Sequence, residues 1–260
     1  MGEAVRATSE LIRPGRVLLI GELHGTFEFP ALVAGIAANV AMKGLGILVG
    51  LEIPRSEQGR IDRFLDSDGS PDAVTSVTAS PFWHRPKEWD DDGRSSIAML
   101  NLLCTLRALG VGRHVSVCAF DLPWSAPGEA LPTDLAALFA IPRDQAMADR
   151  LRGAIELDRN VMTIVLAGNE HTRLWSRRHD ANRPLGEHLN EACSDVVTLI
   201  GHNLGGTIRA AATRRGAEDV SVYADSTPIG LGWSPNTRAD GHHGWVNVGV
   251  VNAAPPLPPA

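Results

Sequence analysis

The chain has 260 residues, 44% hydrophobic and 21% charged, which is enough apolar material for a large buried core. A formal net charge of -6, with no Lys/Arg cluster interleaved with aromatics, argues against a nucleic-acid partner. No run approaches the roughly 18 apolar residues of a membrane span, so no membrane partner is expected.

Cys104, Cys118 and Cys193 are scattered and outside C-x-x-C spacing, which suits neither a disulfide framework nor a cysteine zinc site. The opening "MGEAVRATSELIRPG" has no apolar h-region. Together with reduced thiols, this leads us to expect a cytoplasmic protein.

In chain order, short apolar runs alternate with segments of helical period. "RVLLIG" (16–21) reads as a first strand and "PALVAGIAANVAMKG" (30–44) as a helix, with proline in its first turn and Gly44 past its end. "LGILVGLE" (45–52) is a second strand, followed by the more polar helix "EQGRIDRFLDSDG" (57–69). Residues 70–93, "SPDAVTSVTASPFWHRPKEWDDDG", read as a long lid-like loop carrying Trp83 and Trp89. "SIAMLNLLCTLRALG" (96–110) is a helix and "HVSVCAFD" (114–121) a strand, with a plain connection at 126–134. "PRDQAMADRLRGAIELD" (142–158) is a helix, and "VMTIVLAGN" (161–169) and "DVVTLIGH" (195–202) are strands. The tail from Gly244 begins as an alternating strand and ends in proline-rich coil.

The strand runs are aliphatic throughout rather than alternating, as when both faces of a parallel sheet are covered. The expectation is a single α/β domain over 1–260. Its central sheet is mainly parallel with helices on both faces, and its C-terminal strands are free to run antiparallel.

Ligands in such sheets bind at the carboxyl ends of the strands. The first strand delivers Glu22 and His24, the second Glu52 and the third Asp121. The fourth delivers Asn169, Glu170 and His171, and the fifth His202 and Asn203. "GELHGT" and "GNEHT" also echo each other, both placing Gly-x-x-His directly after a strand.

Two imidazoles and a carboxylate hold a divalent metal with open positions, which makes His24, His171 and Glu52 candidate metal ligands. Without a metal, Glu22, His24, Glu52 and His171 form a catalytic set able to activate water. The competing reading of each histidine is a hydrogen-bonded structural residue.

Arg94, Ser95 and Ser96 precede a helix and suit either a substrate carbonyl or simple capping. Arg94, Ser95, Asp121, Asn169, His202 and Trp83 are the substrate-binding candidates. Arg143 and Asp144 either reach the site or remain solvated first-turn charges. His188 reads as helical, and His242 and His243 as solvated in a Gly-rich turn. "LIGHNLGGT" (199–207) imitates a lipase elbow, but Asn203 stands where a serine nucleophile belongs. Its glycines are read instead as a strand-to-helix turn passing close to neighbouring backbone.

These residues resemble the superfamily of erythromycin esterases, ChaN-type haem-binding proteins and Tiki-type metalloproteases. The resemblance rests on "LLIGELHGT", on Glu52 closing the second strand and on "LAGNEHT". "FW…DGRSSIAML", "RDQAMA", "PLGEHL" and "GWVNVGVVNAAPP" are similar to an uncharacterised bacterial branch. The resemblance implies an α/β fold with its site at the strand ends.

From the esterases it implies that Glu22, His24 and Glu52 activate water. From the Tiki-type members it implies that His24 and His171 act with a glutamate and a divalent metal such as Zn, Mn or Co. From the haem-binding members it implies the alternative of a non-catalytic haem or tetrapyrrole binder with His24 or His171 as ligand. The only tyrosine, Tyr223, lies far from the motifs. The leading expectation is hydrolysis of an ester or amide bond in a small-molecule or peptide substrate, with a dimer left open.

Overall fold

The computed structural model describes residues 1–84, 93–125, 128, 130–176, 182–213 and 216–257. A short helix α1 (Gly2–Ala7) leads to strand β1 (Val17–Glu22), helix α2 (Glu28–Met42) and strand β2 (Ile47–Pro54). Helices α3 (Gln58–Leu65), α4 (Pro71–Thr78) and α5 (Ile97–Leu109) precede strand β3 (Val115–Asp121). Then come α6 (Thr133–Ala136), α7 (Arg143–Leu157), β4 (Met162–Gly168), α8 (Leu185–Ala192) and β5 (Val196–His202). The chain closes with β6 (Leu204–Thr213), β7 (Gly216–Ala224), β8 (Gly230–Trp233) and β9 (Gly244–Asn247).

Among the described residues, seven strands form one sheet in the order β3-β2-β4-β1-β5-β9-β8. Every neighbouring pair is parallel except β8 with β9, which is antiparallel.

Alternation within each strand explains the unbroken apolar runs. Leu18, Ile20, Val49 and Leu51 point to one side and meet Leu32, Ile36, Leu102 and Leu106 of α2 and α5. Val17, Leu19, Leu48 and Val165 point to the other and meet Met147, Leu151, Leu185 and Leu189 of α7 and α8. β1 and β2 are therefore buried along their whole length on both faces, leaving only their ends for polar chemistry.

Three expectations are corrected. The glycines after β5 open the antiparallel hairpin β6–β7 instead of a helix. The close backbone approach itself is present, because a Cβ on Gly206 would collide with the Val251 carbonyl. The segment read as a long loop from residue 70 contains α4, whose cap Ser70 accepts from the Ala73 amide at 3.4 Å. The plain connection at 126–134 ends in α6. Trp89 and the rest of residues 85–92 lie outside the described residues, so the lid reading falls on them.

The hairpin returns to the end of β1. Arg209 donates its amide to Gly25 at 2.9 Å, and Gly25 has a φ of 76°. A side chain there would meet the Arg209 carbonyl, so glycine is required twice over. The C-terminal segment comes back to the same edge, where Thr26 pairs with Ala253. No helix among the described residues is long and apolar enough to cross a membrane.

Candidate active site

Glu22, the last residue of β1, is 4% exposed, and Glu52 near the end of β2 is 3% exposed. These strands are not neighbours, since β4 runs between them. β4 ends in Gly168, where a Cβ would sit 3.2 Å from His24 Nε2 and 3.6 Å from His171 Cδ2. The missing side chain opens the gap in which the two imidazoles converge. The Gly168 amide donates to Glu52 Oε2 at 2.9 Å.

His24 lies between two carboxylates. Its Nδ1 is 2.9 Å from Glu22 Oε1 and its Nε2 is 3.4 Å from Glu52 Oε2. Burial works to lower its pKa, but the charges of Glu52 and Glu22 outweigh it and raise the value to about 10. The ring is thus an imidazolium at neutral pH.

His171 approaches the other oxygen of the same glutamate. Its Nε2 is 3.7 Å from Glu52 Oε1, while its Nδ1 is 2.7 Å from Asp144 Oδ1. Burial opposes its charge, but Asp144 and Glu52 leave its pKa raised. Glu52 itself, despite burial, is held well below the usual carboxylate range by His24, His171 and Arg94.

Two guanidinium groups join the carboxylates of neighbouring strands β2 and β3. Arg94 Nη1 donates to Glu52 Oε1 at 3.0 Å and to Asp121 Oδ2 at 2.8 Å. Arg143 Nη2 donates to the same two atoms at 2.7 and 2.8 Å, and its Nε reaches Asp121 Oδ1 at 2.8 Å. Without these cations, two buried like charges side by side would be strongly unfavourable. Arg143 Nη1 also lies 3.3 Å from His171 Nε2. A guanidinium has no acceptor, so in the neutral ring this contact favours the lone pair on His171 Nε2 and the proton on Nδ1.

The structure therefore brings Glu22, His24, Glu52, His171, Arg94 and Asp121 together. Arg143 and Asp144, left open between site and solvent by the sequence, join them from the first turn of α7.

Other candidates stand apart. Asn169 donates to the Gly201 carbonyl at 3.2 Å and accepts its amide at 2.8 Å, tying the turn after β4 to β5. Trp83 is fully buried against Phe82, which also packs edge-on to Trp124. His202 bonds Thr227 at 2.8 Å and stacks parallel to Trp245. Ser95 is buried, and Ser96 occupies the N-cap of α5 without a side-chain cap bond. His188 lies on α8. His242, read as solvated, is fully buried against Thr172, with its pKa lowered to about 4, chiefly by that burial.

The donor set does not suit a divalent cation. Glu52 Oε1 is taken by two guanidinium groups, Oε2 by an amide, and a third positive edge faces His171 Nε2. Among the described residues, no group of three or more His, Cys, Asp or Glu is placed to hold a metal ion. A haem iron is served no better, because both nitrogens of each imidazole already face charged partners.

Comparison with known proteins bears on the fold. An open conformation of a variant of the erythromycin esterase EreC superposes with a TM-score of 0.57 at 15% identity, covering 82% of this chain and 78% of that one. The chain has the fold of the erythromycin esterases. A Bacillus cereus protein matches with a TM-score of 0.58 at 12% identity, over 93% and 90% of the two chains. A succinoglycan biosynthesis protein gives 0.55 at 10% identity, over 86% and 81%. No family model and no curated protein sequence matches. The esterase-like fold agrees with the architecture read from "GELHGT", Glu52 and "GNEHT".

Proposed function

We propose that the chain is a hydrolase of ester or amide bonds that uses its own side chains to move protons. The observation that carries this reading is the pair of carboxylate-oriented imidazoles, each turned toward one oxygen of Glu52. The two rings differ in what meets Nε2, a carboxylate for His24 and a guanidinium as well for His171, and groups in unlike surroundings divide naturally into acid and base.

His171, with its lone pair on Nε2, takes a proton from water as the water oxygen attacks the carbonyl carbon. Arg143 faces the oxyanion that forms, in a site where fixed positive charge counts for more than in bulk water. When the tetrahedral intermediate collapses, the His24 imidazolium gives its proton to the departing alkoxide or amine. Glu22 and Glu52 hold that cation in place beforehand and keep the ring oriented. The products are a carboxylic acid and an alcohol or amine. A proton passed from His171 back to His24 restores the starting state.

The test is turnover on a panel of esters and short peptides, with and without a chelator, beside haem titration. Hydrolysis that survives chelation and is lost in Glu52→Gln supports the proposal. A Soret band that depends on His24 or His171, with no turnover anywhere in the panel, would replace it with the haem-binding reading.

A further inference from the structure

The geometry points to Asp144 as the positioning residue that fixes the His171 ring, with Nδ1 protonated and Nε2 turned toward Glu52. An aspartate in the first turn of a helix ordinarily serves the helix end. Here α7 shows no side-chain cap bond from its N-cap, Pro142, and the Asp144 carboxylate is used elsewhere. Its Oδ1 meets His171 Nδ1 at 2.7 Å and accepts the Leu185 amide at 2.9 Å.

The next amide in α8, that of Gly186, donates to the His171 carbonyl at 2.9 Å. A side chain on Gly186 would run into the carbonyls of Thr172 and Arg173 at 2.5 Å. The start of α8 thus holds both the backbone of His171 and the carboxylate that aims its ring. Arg143 and Asp144 are consecutive, and they bracket the imidazole on its two nitrogens.

Asp144 does for His171 what Glu22 does for His24 from the other side of Glu52. A carboxylate on Nδ1 leaves Nε2 as the nitrogen that faces substrate. Only the kinetic consequence of this assignment rests on the hydrolase reading.

The test is Asp144→Asn, which keeps an acceptor for Leu185 but removes the charge that selects the tautomer. Proton–nitrogen NMR of the full chain without substrate should show a downfield, hydrogen-bonded Nδ1–H resonance, identified by its absence in His171→Gln. In Asp144→Asn this resonance should vanish or move far upfield while thermal melting stays near wild type. On a hydrolysed substrate, kcat should fall by roughly 10²-fold or more with KM little changed, and Asp144→Glu should recover part of the loss.

A folded Asp144→Asn that keeps the resonance unchanged overturns the assignment. If Asp144→Asn does not fold, Asp144→Glu decides, with a displaced resonance supporting the assignment and an unmoved one overturning it. The expected NMR pattern with no turnover on any substrate supports the positioning and sinks only the hydrolase reading.

Discussion

His24 Nε2 lies 3.4 Å from Glu52 Oε2, although β1, which His24 follows by two residues, and β2, which carries Glu52, are separated in the sheet by β4. The contact exists because β4 ends in a glycine. Gly168→Ala should therefore act on the site more than on the fold. Its methyl would sit 3.2 Å from His24 Nε2 and push the imidazole away from Glu52. Activity should drop at least tenfold with melting close to wild type. An alanine variant with full activity would show that this approach is not needed.

The ionisation of the site gives a pH dependence of stability whose sign is fixed. The His24 value is raised from 6.5 to about 10, so its contribution is complete below pH 6.5 and is lost as pH rises toward 10. The Glu52 value is depressed below 4.5, so its contribution is complete above that pH and lost on acidification. Both act fully between pH 4.5 and 6.5. Thermal melting should fall from pH 6.5 to 10 in the wild type and fall less steeply in His24→Gln. Parallel slopes would contradict the charged state assigned to His24.

The same imidazolium sets the alkaline side of the rate profile. As proton donor to the leaving group, His24 must be charged, so kcat/KM should decline as pH passes about 10. A rate that instead climbs through that pH would exchange the roles of His24 and His171.

Asn169→Ala separates the structural neighbours of the site from its chemistry. The substitution strands the amide and carbonyl of Gly201, with a cost of about 1–3 kcal/mol measured by denaturant unfolding. Activity per folded molecule should remain within a fewfold of wild type. A large loss of kcat without loss of stability would return Asn169 to the substrate-binding set.

Much of this was legible because burial on both faces forces unbroken apolar runs, and the residue that ends each run is then conspicuous. Glu22, His24, Glu52, Asp121 and His171 were found that way, and their convergence follows from the parallel order of the strands. Arg143 and Asp144 were harder to place. A charged pair in the first turn of a helix has the same sequence pattern whether it is solvated or aimed inward, and only the position of α7 against β3 and α8 decides. The hairpin β6–β7 was missed because its glycines, which allow backbone to pass backbone at Gly206, resemble a strand-to-helix turn. Trp83 reads as a substrate-binding candidate in the sequence, and its burial is not legible there, because length and aromatic content alone do not distinguish a lid from a core plug.

If the imidazoles around Glu52 carry out hydrolysis, His24→Gln must lose it. Glutamine keeps an amide to donate to Glu22 or Glu52, so the two carboxylates are not left facing each other bare, as they would be in an alanine variant. The decisive measurement is turnover of a hydrolysed ester or peptide together with thermal unfolding of the same preparation. The variant should remain folded at the assay temperature and lose roughly 10²-fold or more of its rate. A folded variant that hydrolyses substrate at the wild-type rate would contradict the hydrolytic role of the imidazoles.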